Sequence, residues 1–415
     1  MQGDNHTILN LRDRADVTNR WLSDRIYSIL PNLMAAEGID SWIISGREYN
    51  EDPVLLTLLP APMLSARRRT ILVFHLPQSG DLECLAICRY GLGSIYRGVW
   101  DPESGDGWQC VADLLQRRNP RRIGVNISDT HALADGMTAS ELKALRAELA
   151  PEMKDRLVSA ERLAVRWLET RSAGEIETYP DIGQLVSKLI ERAFSSEVID
   201  PGTTTTDDVA WWFREEIERS RLDSWFHPTV KLQAPDSGWD APTRDVIQRG
   251  DLLHCDLGVK YLGLCTDTQR HGYVLRREEQ RAPREIEHLI GRANRLQDIV
   301  ISELSAGRTG NQILCSSLAR GRMEGIDGRI YTHSLGFHGH AAGPAIGMWD
   351  NQKQVPGKGD LPVNPNTCYA LELSVTGPVS EWRSDEVRIA LEESVFFDGE
   401  SVRFLAGRQK SPYLI

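Results

Sequence analysis

Apolar positions along this chain repeat with two periods, and the change from one to the other marks its elements. From about residue 20, "WLSDRIYSILPNLMAAEG" places apolar side chains every three or four positions, which predicts an amphipathic helix, and "IDSWIISG" then reads as a strand. The short apolar runs in "RRRTILVFHLP", "ECLAICRYG" and "RRIGVNIS" are bounded by charge or glycine, as strands are. Residues 1–158 therefore read as an independent α/β domain. At residue 159 the pattern turns helical again, in "SAERLAVRWLETRSAGEIETYPDIGQLVSKLIERAFSSEV", with a break near "RSAGE". A second domain is expected over 159–415.

In that second part, "PGTTTTDDVAWWFREEIERSRL" sets threonines and the Asp207/Asp208 pair ahead of a periodic run, the order an N-cap and the helix dipole favour. "PREIEHLIGRANRLQDIVISEL" and "TGNQILCSSLARGRM" predict two more helices, and strand-like segments cover 251–258, 263–275, 368–376 and 386–397. Helices backing an antiparallel sheet, an α+β arrangement, satisfy this order of elements.

Composition narrows the partners. With 41% hydrophobic residues in a 415-residue chain there is material for a large core, and a net charge of -11 without any Lys/Arg-rich run argues against nucleic acid as a partner. The seven cysteines show no Cys-x-x-Cys spacing, which fits a reducing cytoplasm. The first residues are polar and no run of 18 apolar residues occurs, so neither secretion nor a membrane span is expected.

Candidate chemistry begins at "HCDLGVKYLGLCTDTQ", where Asp256 and Asp267 interrupt strand-like sequence. A hairpin turning between Tyr261 and Leu262 would set the two aspartates directly opposite each other, with Cβ atoms roughly 5 Å apart. Facing like charges destabilise a sheet unless a cation offsets them or one acid stays protonated. A pair of divalent ions bridged by carboxylates would supply that cation; a solvated hairpin with two unrelated acids fits these residues equally well. Farther on, "THSLGFHGHAAGPAIGMWD" sets His333, His338 and His340 in a glycine-rich segment, "CYALELSV" carries Glu372 and "VRIALEESVFF" carries Glu392 and Glu393, all within apolar surroundings. Acids buried in strands need partners. An oxygen-rich set of two Asp, two Glu and one His suits manganese, iron, cobalt or zinc.

The ordered set of Asp256, Asp267 eleven residues later, a histidine in a glycine-rich loop, the Glu of "ALELS" and the Glu of "VRIALEESV" resembles the pita-bread metallopeptidase family, which includes aminopeptidase P, prolidase and creatinase. The likeness spans roughly 165–410, and the N-terminal part resembles the extra α/β domain of the aminopeptidase P, prolidase and creatinase branch. The resemblance implies a pita-bread catalytic domain that binds two divalent ions, manganese first among them, through Asp256, Asp267, His338, Glu372 and Glu392. His338 is preferred to His340 because "HGHAAG" aligns with the family's His-Gly-x-Gly, and Glu393 falls on a neighbouring acid that is not a ligand. It also implies a homodimer, with the N-terminal domain of one chain narrowing the other's cleft.

By the same resemblance, the reaction is cleavage of short peptides at an Xaa-Pro bond by water activated between the metals, with Glu372 moving the proton. The family's helper histidines are absent: the position 17 residues before Asp256 is Trp239, and the position seven beyond His338 is Ala345. His254, His333 and His340 are the candidate catalytic replacements, and His227 is a weaker one. Gln269, expected opposite His254, and Arg270 are read as supports of the site, and Trp239 and Trp349 as pocket walls. The missing helpers leave open a non-peptide C-N hydrolase or lyase resembling creatinase or ectoine hydrolase, and a metal-free binding module.

Overall fold

The computed structural model describes residues 8–237, 244–380, 382 and 386–415. The chain divides into two compact units, the first Leu9–Ser172 and the second built on Ala173–Ile415.

In the first unit the opening helix begins earlier than its apolar period suggests, at Leu11, because the Asn10 side chain caps Asp13 N–H. It continues through a single π-helical turn, Arg25–Ile29, into Leu30–Glu37, where Gly38 takes the left-handed conformation that ends a helix. A mixed six-stranded sheet follows, centred on Ser41–Arg47, which pairs antiparallel with Arg69–His75 on one side and parallel with Ile123–Val125 on the other.

The boundary expected at 158/159 falls instead after Ser172. The helix Glu161–Glu169 belongs to the first unit because the buried Arg25 guanidinium bonds the carbonyls of Trp167 and Thr170 and stacks 4.4 Å from the Trp167 ring centroid. Those bonds satisfy carbonyls that the end of a helix leaves unpaired.

The second unit contains a nine-stranded, largely antiparallel sheet. Five of its strands position the site, in the spatial order β1 (Thr229–Gln233), β2 (Leu252–Leu257), β3 (Thr268–Tyr273), β5 (Val387–Phe397) and β4 (Thr367–Gly377). Two helices, α1 (Arg284–Glu303) and α2 (Gly310–Met323), pack on one face, where Leu371, Leu373, Ile389 and Leu391 join Ile286, Ile290, Ala293 and Leu314 in a core. Thr309 and Gln312 form a reciprocal cap at the start of α2. Because strand side chains alternate, putting residues 371, 373, 389 and 391 on the helix face sends Glu372 and Glu392 to the opposite face.

Candidate metal centre

The hairpin that carries the two aspartates turns at Leu262–Gly263, with φ of 53° and 81°, not between Tyr261 and Leu262. Two successive positive φ values are the tight hairpin geometry that matches strand twist, and Gly263 makes it accessible. The register therefore slides by two residues: Asp256 faces Gln269, and His254 faces His271 rather than Gln269. A slip of two preserves the faces, so the aspartates stay on one side although they are not opposite each other.

Across the sheet this register lines up one row, Asp256, Gln269, Glu392 and Glu372, from four neighbouring strands. Asp267 precedes β3, where the ladder is interrupted and the Trp225 indole donates to Thr266 O at 2.8 Å. Ligand atoms of Asp256, Asp267 and Glu392 lie within 4.8 Å of one another, as do those of His333, Glu372 and Glu392, and those of Asp267, His333 and His340. His333 Nε2 stands 3.7 Å from Asp267 Oδ2 and 3.6 Å from Glu392 Oε1.

The histidine that meets the acids is thus His333; His338 belongs to none of these groups. The reason is strand pairing. His333 opens the short strand His333–Leu335, opposite Ala370 and two residues along β4 from Glu372, hence on the same face. His338 comes after that strand ends, in a turn where Gly336 N–H donates to His338 O. His340 lies at the exposed rim, its ring 4.8 Å from that of His333 and 5.3 Å from that of Trp225. His254 is buried one step away from the acids and reaches Gln269 Oε1 at 2.9 Å.

Residues 178–403 match the metallopeptidase family M24. The chain belongs to that family. It is accordingly a metal-dependent hydrolase. Its fold is similar to X-Pro aminopeptidase from Thermotoga maritima, with a TM-score of 0.65 at 16% identity over 92% of this chain and 100% of that one. It is also similar to dipeptidase PepE from Mycobacterium ulcerans, at 0.62 and 18% identity over 97% and 98% of the two chains. The N-terminal domain of a FACT complex subunit from Cicer arietinum shares the fold too, at 0.57 and 12% identity over 96% and 97%. No curated protein sequence matches the chain.

The electrostatics of this M24 site are those of an acid cluster waiting for cations. Burial first, then the neighbouring acids, raises Asp256 and Asp267 well above the usual carboxylate range, and pushes Glu372 up to about 8. Glu392 is raised by burial to about 7, against the pull of hydrogen bonds from Gln269 and Asp267. Asp256 Oδ1, Glu392 Oε1 and His333 Nε2 are buried without a hydrogen-bond partner among the described residues. His333 Nδ1 sits 3.1 Å from the Ser334 carbonyl, which only accepts, so that nitrogen carries the proton and Nε2 presents a lone pair to the acids. Burial lowers the pKa of His333 and keeps it neutral. Unpaired buried lone pairs cost stability unless something occupies them, and this donor set fits divalent metal.

Two contributors escaped the sequence reading. Tyr331, two residues before His333, stacks 5.1 Å from its ring, and its N–H donates to Glu372 O at 3.0 Å. Its position at i-2 on a strand-like run was the available signal. Trp225 lies against both Gly258 and Gly339, and a Cβ at either glycine would fall on the indole. No sequence pattern marks that contact. Of the two proposed pocket walls, Trp349 is 66% exposed, and Trp239 lies outside the described residues. His227 is an exposed residue stacked 4.8 Å from Trp211.

Glu393 and Arg270 point to the helix face, joined by a buried ion pair of 2.5 Å. Gln409 N–H completes Glu393 with a bond of 3.0 Å.

Proposed function

We propose that the chain is a dinuclear hydrolase that cleaves short peptides at an Xaa-Pro bond, with Asp256, Asp267, Glu372, Glu392 and His333 holding the ions. The observation that carries this reading is that two ligand groups, Asp256–Asp267–Glu392 and His333–Glu372–Glu392, share Glu392, while Asp256 Oδ1, Glu392 Oε1 and His333 Nε2 are buried without a hydrogen-bond partner among the described residues. The hard donor set favours manganese, with cobalt, zinc or iron also accommodated. Bound there, two divalent ions lower the pKa of water and polarise a carbonyl.

The chain's own groups then divide the remaining work. Glu372 is half-buried among the acids that raise it; ionised once cations offset that burial, its carboxylate would take a proton from the nucleophile and return it to the leaving nitrogen. His340 at the rim and Tyr331 beside His333 are placed to orient the substrate carbonyl. Trp225 offers an apolar edge against which a proline ring can lie. His254 acts at one remove, through Gln269. A cytoplasmic homodimer accords with the family likeness and the free thiols.

The test is to strip the protein with chelator, reconstitute it with manganese or cobalt, verify metal content by elemental analysis, and assay release of the N-terminal residue from Xaa-Pro peptides. A fully metallated protein without such turnover sinks the substrate assignment. One observation favours a second reading, a non-peptide C-N hydrolase or lyase: although His340 stands seven residues beyond His333, where relatives place one helper histidine, the position 17 residues before Asp256, where they place the other, is Trp239. Turnover in a screen of small amides and amidines, with Xaa-Pro peptides inert, would select it.

A further inference from the structure

The row that crosses the sheet contains three acids and one amide. Gln269 stands between Asp256 and Glu392 in that row. Its Nε2 donates to Glu392 Oε2 at 3.1 Å, and its Oε1 lies 2.9 Å from His254 Nε2. An ionised carboxylate only accepts, so the amide nitrogen must face Glu392 and the amide oxygen must face His254. His254 must then carry its proton on Nε2. The orientation of Gln269 is therefore dictated from behind, by a buried imidazole that offers no ligand atom to the cluster.

The consequence falls on Glu392. With Oε2 held by the amide, the oxygen left over is Oε1, the atom that has no hydrogen-bond partner among the described residues and stands 3.6 Å from His333 Nε2. The floor beneath is fixed as well. Strands β3 and β5 form a ladder pair at Gln269 and Glu392, and the next potential pair is replaced by a side chain: His271 Nδ1 bonds Leu253 O at 3.0 Å while its Nε2 accepts from Ala390 N–H at 3.0 Å. The strands that carry Gln269, His254 and Glu392 are thus tied together on either side of the row.

We propose that Gln269 and His254 are positioning residues of the metal centre, a relay of two hydrogen bonds that aims one oxygen of Glu392 at the metals. This rests on the reading of the acid cluster as a metal site. Groups that orient metal ligands typically change affinity by about 10- to 100-fold when removed.

The test uses cobalt(II) alone as probe, on chelator-stripped full-length protein, reading affinity by calorimetry and ligand geometry by the visible absorption of the bound ion. Gln269→Leu and His254→Leu are expected to weaken cobalt binding at least about tenfold and to alter the spectrum, while the metal-free proteins keep their wild-type far-ultraviolet dichroism. His254→Gln, which retains an N–H donor, is expected to recover most of the affinity and the wild-type spectrum; Gln269→Met serves as a second apolar variant should Leu misfold. Wild-type affinity and spectrum in both Leu variants, or equal losses in His254→Leu and His254→Gln, overturn the relay and leave the metal site standing. Failure of the unmodified protein to take up cobalt overturns the metal reading itself, and the relay with it.

Discussion

The ion pair between Arg270 and Glu393 offers a stringent check on how the catalytic sheet is held together. Both side chains are buried, 2.5 Å apart, and Arg270 Nη1 also donates to the carbonyls of Gln269 and Glu392 at 3.1 and 2.9 Å. Burial outweighs the attraction of the guanidinium, since Glu393 is pushed up to about 7. A pair so desolvated contributes little net stability, yet breaking it strands a charge. Removing one partner of a buried pair costs about 3–5 kcal/mol, whereas replacing both with apolar groups of similar volume is close to neutral. Glu393→Leu and Arg270→Met should therefore each destabilise the second unit by about 3–5 kcal/mol, a fall in Tm of about 6–20 °C for a domain of this size. The double variant forfeits the two carbonyl bonds of Arg270, at about 1 kcal/mol each, and should lie about 2 kcal/mol below the original protein. The two single losses should thus exceed the double loss by about 4 kcal/mol or more. Thermal and urea unfolding of the metal-free full chain, with hydrogen exchange to localise the change to the second unit, measures all four corners of this cycle. Additive losses, or single variants within about 1 kcal/mol of the original, would refute the reasoning.

Other outcomes follow from named contacts. His333→Ala should abolish tight manganese binding while His338→Ala retains it, as measured by calorimetry; the reverse pattern would restore His338 as the ligand. Gly339→Ala drives a methyl into the Trp225 indole and should cost about 1–3 kcal/mol, and Trp225→Ala in the same chain should relieve most of that loss in thermal unfolding. In the first unit, burial pushes Asp52 up to about 6, so between about pH 4 and 6 the native state keeps a proton that the unfolded chain has released. Stability then falls as pH rises through that window, by about 3 kcal/mol from this group. Asp52→Asn should flatten the slope in urea titrations followed by hydrogen exchange of the first unit, and an unchanged slope would exclude Asp52 as its source.

Residue order alone determined much about this protein. Alternation within "CYALELSV" and "VRIALEESV" commits Glu372 and Glu392 to the face opposite their leucine neighbours, whatever those strands pair with. The same parity kept Asp256 and Asp267 together despite a register error of two, because an even slip does not change faces. The threonines before Thr206–Arg219 likewise announced that helix, and apolar periods announced the two that back the sheet.

What only the tertiary structure decided was register, reach and partnership. The hairpin turned at Leu262–Gly263 because cross-strand bonds reward two positive φ values there. His333 rather than His338 met the acids because pairing with Ala370 ties it to β4, whereas the glycine-rich run leaves three histidines indistinguishable in sequence. Helix Glu161–Glu169 stayed with the first unit through the distant Arg25. Alternation is a property of each strand by itself and can be read along the chain. Which strand lies alongside, and at what offset, depends on contacts between segments far apart in sequence, and only folding brings those together.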